Sequence, residues 1–155
     1  MSKGLPRSLE ALYERVTQLE IDSQQLGIDS QAAINGGIAL SLSPATLGSS
    51  AAAVNTAIGG DGFTRDVAIQ LLDGDSEIVR SNGSFAIAAT KDSTSGTVTI
   101  EDDLTSINLV DGEATVTLVY AGTWADADTC TLTVTGGTVA GNTVADKTSV
   151  DTLVA

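Results

Sequence analysis

Histidine is absent from this 155-residue chain, and cysteine occurs once, at position 130. Without imidazole there is no His-based triad, no His-containing metal cluster and no general base of the commonest kind at neutral pH. A single cysteine allows neither an internal disulfide nor a zinc ligand set. Aromatic residues make up only 3% of the chain, too few and too scattered for a platform that stacks sugars or bases. Basic residues are scarce too: seven Lys and Arg stand against twenty Asp and Glu, a formal charge of −13. That balance excludes a phosphate-neutralising stripe, and with it a nucleic-acid partner, and argues against docking on an anionic membrane. No apolar run approaches the length of a membrane span. The opening MSKGLPRSLEALYERV turns amphipathic at once, so no secretory signal is expected. No serine sits in a G-x-S-x-G elbow, and no glycine-rich phosphate loop carries its lysine. The expectation is a chain that is not an enzyme and holds no cofactor.

What is present points to one cored domain with an appendage. Hydrophobic residues reach 42%, so with few aromatics the interior must come from Val, Leu, Ile and Ala. Residues 1–27 read as an arm followed by a helix. Ser8 is placed to cap it, with Glu10 in its first turn. Leu9, Leu12, Val16, Leu19 and Leu26 then recur at heptad spacing, with Ser23 in the seam and Gly27 as a stop. Two roles remain open for this stripe. It packs back onto its own sheet, or it forms a short parallel coiled coil in a homo-oligomer, and the mixture of Val and Leu in the seam does not decide between two strands and three. The narrow a/d face, with polar residues opposite, favours the oligomer. Residues 28–62 read as an Ala/Gly/Ser-rich connector. Within it SSAAAVNTAI suggests a short helix capped by Ser49 or Ser50, and GIALSL a strand or extended segment.

From residue 63 the period changes to two. RDVAIQL, SFAIAAT, GTVTIE, INLV, EATVTLVY and TCTLTVT alternate apolar with polar, and the last twenty residues hold one or two more short strands. Roughly seven strands, separated by Gly, Asp and Asn turns, describe a mainly β protein with an antiparallel sandwich over 63–155. Val98, Ile100, Val116, Leu118, Tyr120, Leu132 and Val134 are expected in its core, and the alternate Thr residues outside. Cys130 is in phase with Leu132 and Val134, which makes it a small core hydrophobe; the other reading is an intermolecular disulfide. Trp124 stands in a turn-like segment, either plugging an end of the sandwich or presenting a surface contact. In DGDSE, the alternating Asp73, Asp75 and Glu77 begin like a calcium loop, but Ser84 stands where the bidentate acid would fall. They read better as a strand-connecting turn without metal, as do the acids at 101–103, 111, 113, 126 and 128. The acceptor pattern NGS at 82–84 reads as a hairpin turn.

The helix LEALYERVTQLE, the small-residue connector, and the segments VAIQLLDGDSEI, GEATVTLVYAG and CTLTVTGG resemble tailed-bacteriophage virion accessory proteins. The likeness is strongest to capsid decoration or head-fibre proteins with an immunoglobulin-like (Ig-like) domain, and covers about 63–137 plus the helix. It implies a non-enzymatic structural protein on the outer surface of a virion capsid. The resemblance implies as partners the major capsid protein and copies of itself, with a trimer favoured over a dimer. No catalytic or ligand residue is carried over. Two alternatives from other classes stand beside it: an Ig-like adhesin for a host surface glycan or protein, and a tail, baseplate or filament subunit.

Overall fold

Alternation in the strands translates directly into layers. The computed structural model describes residues 37–58 and 62–155, which lie within one compact unit, Gly37–Ala155. The helix expected over 9–26, with Leu9, Leu12, Val16, Leu19 and Leu26, lies outside the described residues.

Among the described residues eleven strands form: β1 (Ala39–Ser43), β2 (Thr46–Leu47), β3 (Phe63–Leu72), β4 (Gly83–Asp92), β5 (Gly96–Ile100), β6 (Ser106–Leu109), β7 (Glu113–Gly122), β8 (Thr129–Val134), β9 (Gly137–Val139), β10 (Asn142–Val144) and β11 (Lys147–Thr152). One helix, α1 (Ala51–Ile58), stands between β2 and β3. One sheet has the order β1-β3-β7-β5 and the other β2-β11-β8-β4-β6; β9 and β10 form a separate hairpin. Adjacent strands are antiparallel except β2, which runs parallel to β11. This is an Ig-like sandwich. The first sheet follows the A-B-E-D order, and β4, β8 and β11 take the C, F and G places of the second.

Inward-facing positions fill the space between the sheets. Val67, Ile69 and Leu71 of β3, Val116, Leu118 and Tyr120 of β7, and Cys130, Leu132 and Val134 of β8 are all at most 1% exposed. Ile100 is buried as expected, whereas Val98 is only half-buried because β5 is the last strand of its sheet. Outward positions carry Thr64, Thr97, Thr99 and Thr115 in the exposed class. On this face Thr117 donates to the Asp66 carboxylate at 2.7 Å and Gln70 to Glu113 at 2.9 Å, each pair directly opposite in the β3–β7 register.

The boundary expected at residue 62 does not fall there. Residues 39–43 pair with Ala68–Leu72 of β3, and Leu40 and Leu42 are buried in the core. The chain then passes the cis Ser43–Pro44 peptide and crosses to the second sheet as β2. Within the expected connector, the strand and the short helix suggested for GIALSL and SSAAAVNTAI both form, joined by a crossover. Ser50 caps α1, its Oγ accepting from the Ala53 N–H at 3.3 Å, and Val54 inside the helix is fully buried. The last twenty residues hold three strands, since Ala140 and Gly141, both at positive φ (48° and 77°), make the tight turn of the β9–β10 hairpin.

Candidate functional site

The interior at one end of the sandwich is polar, and the parity of the strands puts it there. Ser149 and Asp151 share the inward phase of β11 with Leu153, and Arg65 shares that of β3 with Val67. Asp151 is 0% exposed and accepts from three neutral donors. These are the Ser49 N–H at 2.9 Å, the Ser49 hydroxyl at 2.7 Å and the Tyr120 hydroxyl at 2.8 Å. The network therefore ties β7 of one sheet to β11 of the other and to the segment leading into α1. Burial, and then the adjoining Cys130 and Asp151, hold the Tyr120 phenol far above its ordinary range, so it stays a protonated donor. Burial likewise pushes the Cys130 thiol up. With its side chain fully enclosed, Cys130 makes no intermolecular disulfide, and the core-hydrophobe reading is the correct one.

Arg65 is 5% exposed. Its Nη2 donates to the Pro44 carbonyl and the Ser149 hydroxyl, and that hydroxyl donates in turn to Pro44. Nε and Nη1 find no hydrogen-bond partner among the described residues. A nucleophile, an acid and a phenol thus lie together, but in a closed core where each is occupied by a neighbour. A substrate has no route to them.

Trp124 is 2% exposed and so offers no surface contact; it plugs the end of the sandwich. Its backbone N–H donates to Asn55 Oδ1 at 2.8 Å while Asn55 Nδ2 donates to its carbonyl at 2.7 Å, a two-way lock between α1 and the β7–β8 connection. The indole N–H is satisfied by the Ala121 carbonyl at 3.0 Å, and the ring lies 5.1 Å from Tyr120, which meets Phe63 edge-on at 5.2 Å. Gly96 leaves the room: a Cβ there would stand 2.6 Å from two atoms of the indole. Beside it the Asp128 carboxylate accepts from the Ser93 hydroxyl at 2.6 Å and the Ala125 N–H at 2.9 Å, which lowers its pKa.

The DGDSE acids do not converge. Asp73 Oδ1 turns back onto the N–H groups of Asp75 (2.9 Å) and Glu77 (3.0 Å), and Ser76 at φ 64° closes the turn. Among the described residues no three acids or cysteines are grouped to hold a metal ion. The NGS stretch is not the centre of a hairpin. Gly83 already opens β4, and Asn82 accepts from the Asp111 N–H at 3.0 Å, bracing one turn against another.

The other feature is on the outside. β6 pairs with Gly83–Ala86 of β4 and the Thr105 carbonyl accepts from the Ile87 N–H at 2.9 Å, so beyond Ile87 β4 has no strand partner on that side among the described residues. β5, the last strand of the facing sheet, has β7 on one side only. Between them runs a shallow groove of about 290 Å³, lined by Ile87, Ala89, Val98, Ile100 and Leu104 among others. Leu104 is 43% exposed, and the preceding 3₁₀ turn presents Glu101, Asp102 and Asp103 to solvent. None of these residues stood out in the sequence as a site. Leu104 alone carried a signal, an aliphatic residue in an acidic turn and out of phase with Ile107 and Leu109 of β6.

No family model matches the chain, and no curated protein is similar to it in sequence. Among solved structures it is similar to WR4, a C. elegans MSP family member (11% identity, TM-score 0.42, covering 75% of this chain and 96% of that one). It is also similar to domains 4 and 5 of the S-layer protein SbsC (14%, 0.37, 75% and 51%). A third is a cohesin module from a Clostridium perfringens ATCC13124 family 33 glycoside hydrolase (11%, 0.38, 77% and 98%). Among the described residues no helix is long and apolar enough to cross a membrane. The fold is that of an Ig-like β-sandwich.

Proposed function

We propose that the chain is a binding module, a rigid Ig-like scaffold that recognises the surface of another protein. One observation carries this reading. The reactive side chains that the fold gathers, Asp151, Tyr120, Ser149 and Cys130, are sealed inside, while an apolar groove lies open between two strand edges. A protein is favoured over a glycan because sugars are held on exposed aromatic faces, and of the described aromatics Trp124, Tyr120 and Phe85 are buried while Phe63 is half-buried against Tyr120. The test is to immobilise the full chain and measure binding to a panel of host-envelope glycans and a panel of host surface proteins. Saturable binding to a protein with silence on the glycans is expected. Glycan binding would move the recognition surface elsewhere, and silence on both panels would remove the binding-module reading.

A second reading, capsid decoration, is favoured by the polarity of the sandwich. β1 starts at the end that carries the 73–82 and 110–112 turns, whereas α1, Trp124 and Ala155 are at the opposite end. One end is thus available to anchor while the other is displayed. On this reading the chain sits on the outer surface of a virion, bound to the major capsid protein. It is trimeric or dimeric through Leu9, Leu12, Val16, Leu19 and Leu26, and contacts become strong through multiplicity. Fixed-stoichiometry co-purification with capsid particles supports it. Light scattering then compares the full chain with a Leu12→Asp, Leu19→Asp variant. A discrete oligomer that falls to monomer is expected, and monomers in both cases remove the seam.

A further inference from the structure

We propose that the open side of the sandwich takes up an extended, cationic segment of a partner protein as an added strand beside β5; this deepens the binding-module reading and rests on it. Three observations converge on the same place. First, β5 has an outer edge with no strand partner among the described residues, and its five residues, Gly96 to Ile100, include no Lys and no Pro to blunt it. Natural sheets protect such edges unless the edge is used. β2, at one edge of the other sheet, is only two residues long, and β1 ends at Ser43, directly before Pro44, where the chain crosses over.

Second, the groove runs alongside that edge. A strand laid on β5 sends alternate side chains to opposite faces. One set falls into the groove against Ile87, Ala89 and Leu104, where aliphatic side chains of modest size fit; the other stands over Thr97 and Thr99. Such a segment would also give Leu104, 43% exposed when unpartnered, an apolar neighbour.

Third, the charge at the groove is of one sign. Glu101, Asp102 and Asp103 follow β5 directly and are all exposed, while Lys91, the cation on β4, is turned onto the Ser93 carbonyl. A second copy of this chain is a poor occupant, since it brings the same acids and the same formal charge of −13. The segment that fits has aliphatic residues at alternate positions and Lys or Arg at the end lying next to residues 101–103.

The full chain, ¹⁵N-labelled, would be titrated with the synthetic peptide Lys-Val-Thr-Val-Thr-Val-Lys, with a peptide carrying Glu in place of Lys as control. The expected result is amide shifts confined to 87–91 and 96–105, slowed hydrogen exchange along β5, and several-fold weaker binding between low and physiological salt. The Glu peptide should leave the spectrum unchanged. The variant Asp102→Asn, Asp103→Asn should weaken binding several-fold without unfolding, because Asn accepts the left-handed backbone these residues adopt (φ 60° and 51°). Leu104→Ser should weaken it independently of salt. No shifts at millimolar peptide, shifts elsewhere on the sandwich, or equal binding of both peptides would each overturn the proposal. So would shifts along β5 that grow with the concentration of the chain alone, which would mean self-association. If the chain binds a protein from the surface panel while β5 exchanges freely, strand addition fails and the binding-module reading stands; if it binds none, that reading fails as well.

Discussion

Replacing Asp151 by Asn should expose how much of the fold hangs on the closed polar interior. Asp151 Oδ2 accepts from two hydroxyls, those of Ser49 (2.7 Å) and Tyr120 (2.8 Å), and Oδ1 from the Ser49 N–H (2.9 Å). An amide has one oxygen. With that oxygen toward the Ser49 N–H, the NH₂ group meets two hydroxyls that must both reverse, and the Tyr120 proton is left in the core. Flipped over, the NH₂ group confronts a backbone donor. Either way a bond to a charged acceptor is lost, worth about 1.5–3 kcal/mol, and a buried donor is stranded at about 1–3 kcal/mol. Relief from burying a charge offsets part of this. A net loss of about 2–4 kcal/mol is expected, which for a unit of this size lowers Tm by roughly 3–5 °C per kcal/mol. Urea unfolding followed by the fluorescence of Trp124, the chain's single tryptophan, reads it, with the m value unchanged. Tyr120→Phe should cost about 1–2 kcal/mol, and the double variant should lose less than the sum of the two. A loss below about 0.5 kcal/mol in Asp151→Asn, or a gain, would refute the reasoning: charge burial would then outweigh the hydrogen bonds.

Gly96→Ala places a Cβ against the Trp124 indole and should cost about 1–3 kcal/mol with a shifted emission maximum; wild-type stability would mean that the ring has space to retreat. Asp128 has a folded pKa below its unfolded value of about 3.9, so its contribution is complete above that pH and is lost as pH falls through the lowered value. Asp128→Asn should therefore lower stability at neutral pH and flatten part of the acid limb of the stability–pH profile; an unchanged limb counts against the Ser93 and Ala125 bonds. Cys130 should react with a thiol reagent only at the rate of unfolding, and fast labelling of the native chain would contradict its burial.

Strand boundaries from β3 to β8 were legible because alternation and turn chemistry are local. GTVTI, EATVTLVY and TCTLTVT declare which side chains share a face, and Asp-Gly or Gly-Gly steps mark where each run stops. The exclusion of His-based chemistry was legible in the same way, from composition alone. Partners were not legible. Ala39–Ser43 reads as either a strand or an extended connector, because short runs of Ala, Leu and Ser commit to strand only when a neighbour such as β3 supplies the hydrogen bonds. The inward phase of Arg65 and Asp151 was visible too, yet parity says only that a side chain faces the other sheet. That Asp151 meets Tyr120 and Ser49, from strands and a crossover far apart in the chain, follows from how the two sheets stack. Trp124 sat in what read as a loop, and only the docking of α1 through Asn55 closed it over. The open side belongs to the same class: β6 covers four residues of a ten-residue strand, and where pairing stops is decided by the turn at 101–103. Local order chose the strands; long-range pairing chose their neighbours, and with them which edges were left without one.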